Sequence, residues 1–188
     1  MDAENRRKAE KAVRDILSAF SIKPREGIAE TPARVVRMLE EVWQGEQYSN
    51  AEIALMFNKT FPTNSADMVI VKDIEAFSYC EHHLALIYDM KVSVAYLPDG
   101  KVIGLSKIAR IVDMCCKRLQ LQERIGEDIA DVMTRIVGEH VCVRIEANHS
   151  CMTARGIKKP GSRTVTFTKK GAFADPIVFR EFVEALKQ

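Results

Sequence analysis

Hydrophobic positions recur along this chain at two spacings, and the spacing changes near residue 68. In residues 3–20, Ala9, Val13, Ile16, Leu17 and Phe20 fall three or four apart, which predicts an amphipathic helix. Pro24 and Gly27 interrupt it. The stretch ETPARVVRMLEEVWQG predicts a second helix with Val35, Val36, Leu39 and Val42 on its apolar face. Thr31 is the expected cap, Pro32 suits the first turn and Gly45 can end the helix. A short helix is expected at residues 50–58, and FPTNSAD reads as a turn-rich joint. From residue 68 the chain is rich in β-branched and aromatic residues. MVIVKDI and LIYDMKVSVAYL read as strands, with Pro98, Asp99 and Gly100 making the following turn. Helical spacing returns in SKIARIVDMCCKRL and in QERIGEDIADVMTRIVG, the latter ending near Gly138. HVCVRIEANH alternates as a strand, SRTVTFT is one more, and DPIVFREFVEALKQ closes as a helix started by Asp175 and Pro176.

The order after the helical N-terminal third is therefore strand, strand, helix, helix, strand, strand. This predicts an α+β fold in which two adjacent helices cover one side of an antiparallel sheet. We divide the chain into a helical N-terminal region, residues 1–66, and a sheet-bearing domain, residues 67–188. A chain of 188 residues can bury a sizeable core, and 47% hydrophobic with 29% charged residues is the balance of a globular protein. The net charge of +2 gives no electrostatic case for a nucleic-acid partner. No apolar run is long enough for a membrane span, and MDAENRRKAEKAVRDI lacks the apolar centre of a secretory signal. The odd count of five cysteines fits free thiols rather than a disulfide framework, so a cytoplasmic location is expected.

The cysteines and histidines carry the first chemical signal. In FSYCEHHLALIY, Cys80 and His83 are three apart, a spacing from which a thiolate and an imidazole can reach one zinc ion across a tight turn. In EANHSCMTARG, Cys151 follows a predicted strand and His149 precedes it by two. Cys80, His83 and Cys151 are the candidate zinc ligands, with a fourth position left for water, the mark of a catalytic site. A closed structural site using a further histidine is the alternative. His82 and His149 are left for proton transfer. Cys115, Cys116 and Cys142 fall in apolar patterns and read as core.

The second signal is cationic. From Ala147 to Ala174 there is no Asp or Glu, while Arg155, Lys158, Lys159, Arg163, Lys169 and Lys170 all occur. Lys107 and Arg110 lie three apart near a helix start that Ser106 is expected to cap. A helix start favours anions, so an anionic small molecule, best a phosphate, is the expected ligand. Glu123 sits near another helix start, as a surface acid or as a partner for an amidine-like edge such as that of guanine.

The blocks ETPARVVRMLEEVW, SYCEHHLA, VAYLPDGKVIGLSKIARIVDMCCKRLQLQER and IEANHSCMTARGIKKPGSRTVT together resemble the zinc-dependent GTP cyclohydrolase I family. The resemblance implies the tunnelling fold, in which four-stranded sheets of neighbouring subunits join into a barrel, and a homodecamer of two pentamers with active sites at subunit interfaces. It implies one zinc per subunit on Cys80, His83 and Cys151, and acid–base roles for His82 and His149. Glu123 corresponds to the guanine anchor; Lys107, Arg110 and Arg155 to triphosphate-binding residues; Arg34 to a phosphate-binding arginine from another subunit. Ser106 corresponds to a serine near the ribose, implicated in the later rearrangement. Glu81 lies between the zinc-site residues, where it is expected to orient them through its environment. The implied reaction takes GTP, opens its imidazole ring with water activated by zinc, releases C8 as formate and closes 7,8-dihydroneopterin triphosphate. A structural-zinc protein binding phosphate or nucleic acid, and a zinc tunnelling-fold enzyme acting on a related purine or pterin, are the competing readings. The chain departs from the family pattern beyond His83. After CEHH it takes one residue more to reach VAY and has Met90 where many members have glycine, which predicts a strand bulge or an altered turn.

Overall fold

The computed structural model describes residues 1–187 and separates into two compact units, Met1–Gln44 and the chain from Gly45 onward. In the first unit, α1 (Ala3–Ala19) is capped by Asp2, whose carboxylate accepts from Asn5 N at 2.8 Å. After the single turn α2 (Glu26–Ala29), α3 (Thr31–Val42) buries Pro32, Val36 and Val42. Arg6 of α1 bonds Glu40 of α3 at 2.8 Å. Thr31 is not the cap: it is the first helical residue, and Glu30 precedes it in helical geometry without a side-chain bond. Along the apolar stripe of α1 Ala9, Val13 and Leu17 are partly buried, while Ile16 and the following Phe20 are 58% and 77% exposed.

The second unit begins with α4 (Asn50–Phe57), held at its start by a reciprocal Ser49–Glu52 capping box. Then come β1 (Thr60–Pro62), β2 (Val69–Cys80), β3 (Ala85–Tyr96), β4 (Lys101–Ile103), α5 (Leu105–Cys116), β5 (Leu119–Gln120), α6 (Gln122–Val137), β6 (Val141–His149), α7 (Ser150–Thr153), β7 (Thr164–Lys169) and α8 (Pro176–Ala185). The main sheet has the order β5-β2-β3-β6-β7, and β1 and β4 form a separate ribbon. The pairs β2–β3, β3–β6 and β6–β7 are antiparallel, and β5 adds a two-residue parallel edge to the end of β2. Helices α5 and α6 thus lie between the second and third strands of the four-stranded antiparallel core, as expected. On one face Val92, Val94, Val143 and Ile145 share a core with Ile108, Ile111, Ile125, Ile129 and Met133 of those helices. On the other, Ala95 and Cys142 meet Phe173 and Phe182 near α8. The alternation of Cys142 against Val143 is the two-residue period of a strand buried on both faces.

The expected bulge is present and its place is defined. Tyr88 pairs Asn148 and Lys91 pairs Glu146, so Asp89 and Met90 of β3 stand opposite Ala147 alone. Asp89 takes φ 48°, the left-handed geometry that an aspartate tolerates better than most residues, and Asn148 Nδ2 donates to Asp89 Oδ2 at 3.0 Å. The bulge turns Met90 into the core, where it is 1% exposed and lies 3.7 Å from the Cys116 sulfur. The three thiols read as core are buried. Burial pushes those of Cys115 and Cys142 up to about 12 and that of Cys116 well above the ordinary thiol range, so all stay protonated.

A polar cluster joins α4, β5 and α6. Arg118 donates at 2.8 Å to Asp128 Oδ2, Asn50 Oδ1 and the Tyr48 carbonyl. Asp128 also accepts from Gln120 Nε2 at 2.8 Å and from Asn50 Nδ2 at 3.0 Å. The Arg118 and Asp128 side chains are only 12% and 17% exposed, so removing one charge strands the other. Asp128→Ala is expected to cost about 3 kcal/mol, seen as a lower urea midpoint with unchanged slope at matched protein concentration. Asp128→Asn, which keeps the shape and one acceptor, is expected to cost less.

Candidate metal centre and active site

The candidate ligands meet where β2 and β6 end and β3 begins. Cys80 is the last residue of β2, held by pairing with Ala85 on one side and Gln120 on the other. The chain then turns sharply: Leu84 N donates to Cys80 O at 3.0 Å, and Leu84 adopts φ 51° to close the turn. This brings His83 Nδ1 within 4.0 Å of Cys80 Sγ. Cys151 arrives on the one-turn helix α7, which two bonds fasten to β3: Ser150 Oγ to Leu86 O at 2.8 Å and Tyr88 Oη with Thr153 Oγ1 at 3.0 Å.

One ligand atom from each of Cys80, His83 and Cys151 lies within 4.8 Å of the other two. Tetrahedral zinc with about 2.3 Å bonds to sulfur and about 2.0 Å to nitrogen needs ligand atoms about 3.5–3.8 Å apart, so a small contraction suffices. The donor chemistry fits as well. Burial, and then the neighbouring Cys80 sulfur, hold the Cys151 thiol above its ordinary range, with Arg155 opposing. Two sulfurs this close resist carrying negative charge until a cation joins them. His82 is exposed, its ring lies 6.2 Å from that of His83, edge to face, and it is outside the Cys80–His83–Cys151 group.

His149 ends β6 and is half-buried; burial lowers its imidazole pKa, partly offset by the Glu123 carboxylate. Its Nε2 lies 2.8 Å from Gln122 Oε1. Gln122, the first residue of α6, is buried, and its amide nitrogen reaches Ile145 O and Thr164 O at 3.1 Å each. Glu123 follows it in the first turn of α6, exposed, in the electrostatic field of His149. Gln122 was not singled out from the sequence. The signal was a polar residue at an apolar position of the α6 stripe, one residue before Glu123.

Glu81 of the zinc turn forms an ion pair with Arg124, whose Nε donates to Gln120 Oε1 at 2.8 Å; Glu81 N in turn donates to Gln120 O at 3.1 Å. The turn is therefore anchored to the Arg118–Asp128 cluster. The cationic residues are placed on other elements. Lys107 and Arg110 project from the start of α5, and Arg155 follows α7; among the described residues none of them has an ion-pair partner. Ser106 does not cap α5. Gly104 occupies the cap position with extended geometry, Lys107 N bonds its carbonyl at 2.8 Å, and Ser106 is the second helical residue, exposed. Arg34 lies on α3 of the first unit, exposed, with Glu30 at 2.7 Å.

Comparison with known proteins decides the family. The GTP cyclohydrolase I profile matches residues 9–187. The chain belongs to the GTP cyclohydrolase I family. It is 58% identical over 178 residues to the GTP cyclohydrolase 1 of Clostridium botulinum strain Kyoto, covering 90% of this chain and 91% of that one. It is 57% identical over the same length to that of the Loch Maree strain. The GTP cyclohydrolase 1 of Ruminiclostridium cellulolyticum is 56% identical over 177 residues, again 90% of this chain and 91% of the relative. The antiparallel sheet with two inserted helices and a helical N-terminal region is compatible with the tunnelling fold of GTP cyclohydrolase I. Among the described residues, no helix is long and apolar enough to cross a membrane.

Proposed function

We propose that this chain is a GTP cyclohydrolase: it hydrolyses the imidazole ring of GTP, releases C8 as formate and closes the remainder to 7,8-dihydroneopterin triphosphate. The observation that carries the reading is the convergence, in a member of this family, of a Cys80–His83–Cys151 cluster with an imidazole and a carboxylate, His149 and Glu123, at the same end of the sheet. The donor set fits one zinc per subunit. Zinc held there supplies Lewis-acid activation of the attacking water.

The side chains divide the remaining work. Glu123 accepts the N–H groups of the guanine amidine edge and so sets which base enters. Lys107, Arg110 and Arg155, with Arg34 from another subunit, hold the triphosphate. Because the phosphates stay intact, their binding energy goes into orienting the base. His149, a neutral imidazole at physiological pH, takes and returns a proton as the ring opens, and His82 serves as a second proton carrier on the exposed side of the turn. Ser106 lies beside the phosphate-binding cations on the same helix turn and assists the ribose rearrangement.

The N-terminal residues 1–66 serve assembly and residues 67–188 carry catalysis. Two features support a homo-oligomer. The outer edge of β7 and that of β2 before Tyr79 have no strand partner among the described residues, so sheets of neighbouring subunits can join edge to edge into a barrel. The exposed Ile16 and Phe20 at the end of α1 offer a second contact, consistent with two pentamers stacked as a decamer. The site is placed in the cytoplasm, where its thiols stay reduced. Neither nucleic acid nor membrane is a partner.

Anaerobic incubation of the zinc-loaded protein with GTP is expected to yield formate and a dihydropterin triphosphate in equal amounts, identified by mass. Release of inorganic phosphate in place of formate overturns the reading, as does bound zinc with no change in GTP.

A further inference from the structure

We infer that Gln122 fixes the tautomer of His149, so that Nε2 carries the hydrogen and Nδ1 is the nitrogen that accepts and returns a proton; this rests on the proton-transfer role proposed for His149. A glutamine amide has one accepting oxygen and one donating nitrogen, and their positions follow from what surrounds them. The Gln122 nitrogen lies 3.1 Å from the Ile145 carbonyl, 3.1 Å from the Thr164 carbonyl and 3.2 Å from Thr166 Oγ1. Both carbonyls can only accept, so the nitrogen must face them. The reversed amide would set its oxygen against two carbonyl oxygens in a residue that is 1% exposed.

The orientation of the amide is therefore decided by β6 and β7, not by His149. Its oxygen then lies 2.8 Å from His149 Nε2, and an amide oxygen only accepts. The ring must present Nε2–H there, and in the neutral imidazole the hydrogen is absent from Nδ1. When Nδ1 uses its lone pair to take a proton from the reacting base, the imidazolium still donates Nε2–H to Gln122. When Nδ1 gives the proton back, the starting tautomer is restored. No proton leaves through Gln122, because its amide oxygen is too weak a base to carry one. The relay ends at His149, and Gln122 is a positioning residue with no contact to the reacting atoms.

The test is magic-angle-spinning NMR of zinc-loaded protein carrying [13C,15N]histidine, at about pH 8, above the ordinary imidazole range. With four histidines in the chain, the His149 signals are identified by their loss in His149→Asn. The expected wild-type result is a protonated Nε2 and a bare Nδ1, told apart because Nδ1 is bonded to Cγ. A protonated Nδ1 overturns the inference without any Gln122 variant. In Gln122→Met, the ring loses its acceptor and both tautomers are expected, with kcat falling about 10- to 100-fold, as when a metal-bound imidazole loses the partner that orients it, while KM for GTP is little changed. Unchanged tautomer and unchanged kcat in Gln122→Met also overturn it. A wild type with the expected spectrum but no formate from GTP defeats the cyclohydrolase reading and leaves the tautomer assignment standing.

Discussion

Replacing Cys151 by serine is expected to remove zinc and turnover together. The three candidate ligand atoms come from two separate parts of the chain, and Cys151 is the single one brought by the far end of β6. Cys80 and His83 alone span one tight turn and can offer two bonds, which leaves zinc exposed to competition from water and chelators. Serine keeps the size of the side chain but replaces a soft, acidic donor by a hydroxyl that holds its proton at neutral pH. Changes to groups that merely orient a ligand weaken metal binding about 10- to 100-fold, so loss of a thiolate ligand is expected to exceed about 100-fold. The measurement is zinc per subunit in protein purified at fixed chelator strength, alongside formate release. A second readout is thermal stability. Wild type should lose melting temperature when zinc is stripped, because the ion binds the folded chain preferentially, and Cys151→Ser should not respond. His149→Ala is the contrast. It should keep the metal and its thermal response while losing turnover. Zinc content unchanged in Cys151→Ser, or zinc lost equally in His149→Ala, would count against the ligand set.

The sequence revealed the long elements because apolar residues recur along each at a helical or strand period. The periodic apolar residues of α6, from Ile125 through Ile129 to Met133 and Ile136, are all buried, as are Val92 and Val94 of β3. Elements of two or three residues have no period to read, so β5 and the β1–β4 ribbon were not foreseen. Yet β5 matters to the site, since Gln120 pairs with Cys80 and starts the network that anchors Glu81. The Ser106 and Thr31 caps failed for a shared reason. Residue type gives a capping preference, but the backbone decides which residue stands at the boundary, and both helices include the favoured residue as a helical position. The bulge was readable as an extra residue, whereas its location depended on Asp89 reaching Asn148 across the sheet. Within the site, the Cys80–His83 spacing was legible because both residues share one turn. The partnership of Gln122 with His149 joins positions 27 apart and depends on how α6 lands on β6, which no local pattern records.

Glu123→Gln is expected to blur the distinction between GTP and inosine triphosphate. The guanine edge offers the N1 hydrogen and the 2-amino group side by side, and a carboxylate at the head of α6 can accept both. Inosine triphosphate lacks the amino group, so one carboxylate oxygen would be enclosed without a partner when the base seats. Sites built to hydrogen-bond a particular group reject analogues lacking it by factors of up to about 10⁴–10⁵ where the site is fully enclosed. Glu123 is exposed in the single chain, so its enclosure must come with the bound base, and a preference of about 100-fold or more for GTP is the expected wild-type result. Glutamine keeps the shape but turns one acceptor into a donor, which opposes a base hydrogen. Productive binding of GTP should fall about 100-fold, while inosine triphosphate, with one hydrogen fewer to oppose, falls less, so the ratio narrows. Zinc content should not change, because Glu123 is outside the Cys80–His83–Cys151 set. Triphosphate affinity should also persist, since Lys107, Arg110 and Arg155 lie on other elements. The measurement is kcat/KM for both nucleotides in wild type and Glu123→Gln at equal zinc occupancy. A surface acid predicts the same ratio in both proteins, and that outcome would remove Glu123 from base recognition while leaving the metal centre untouched.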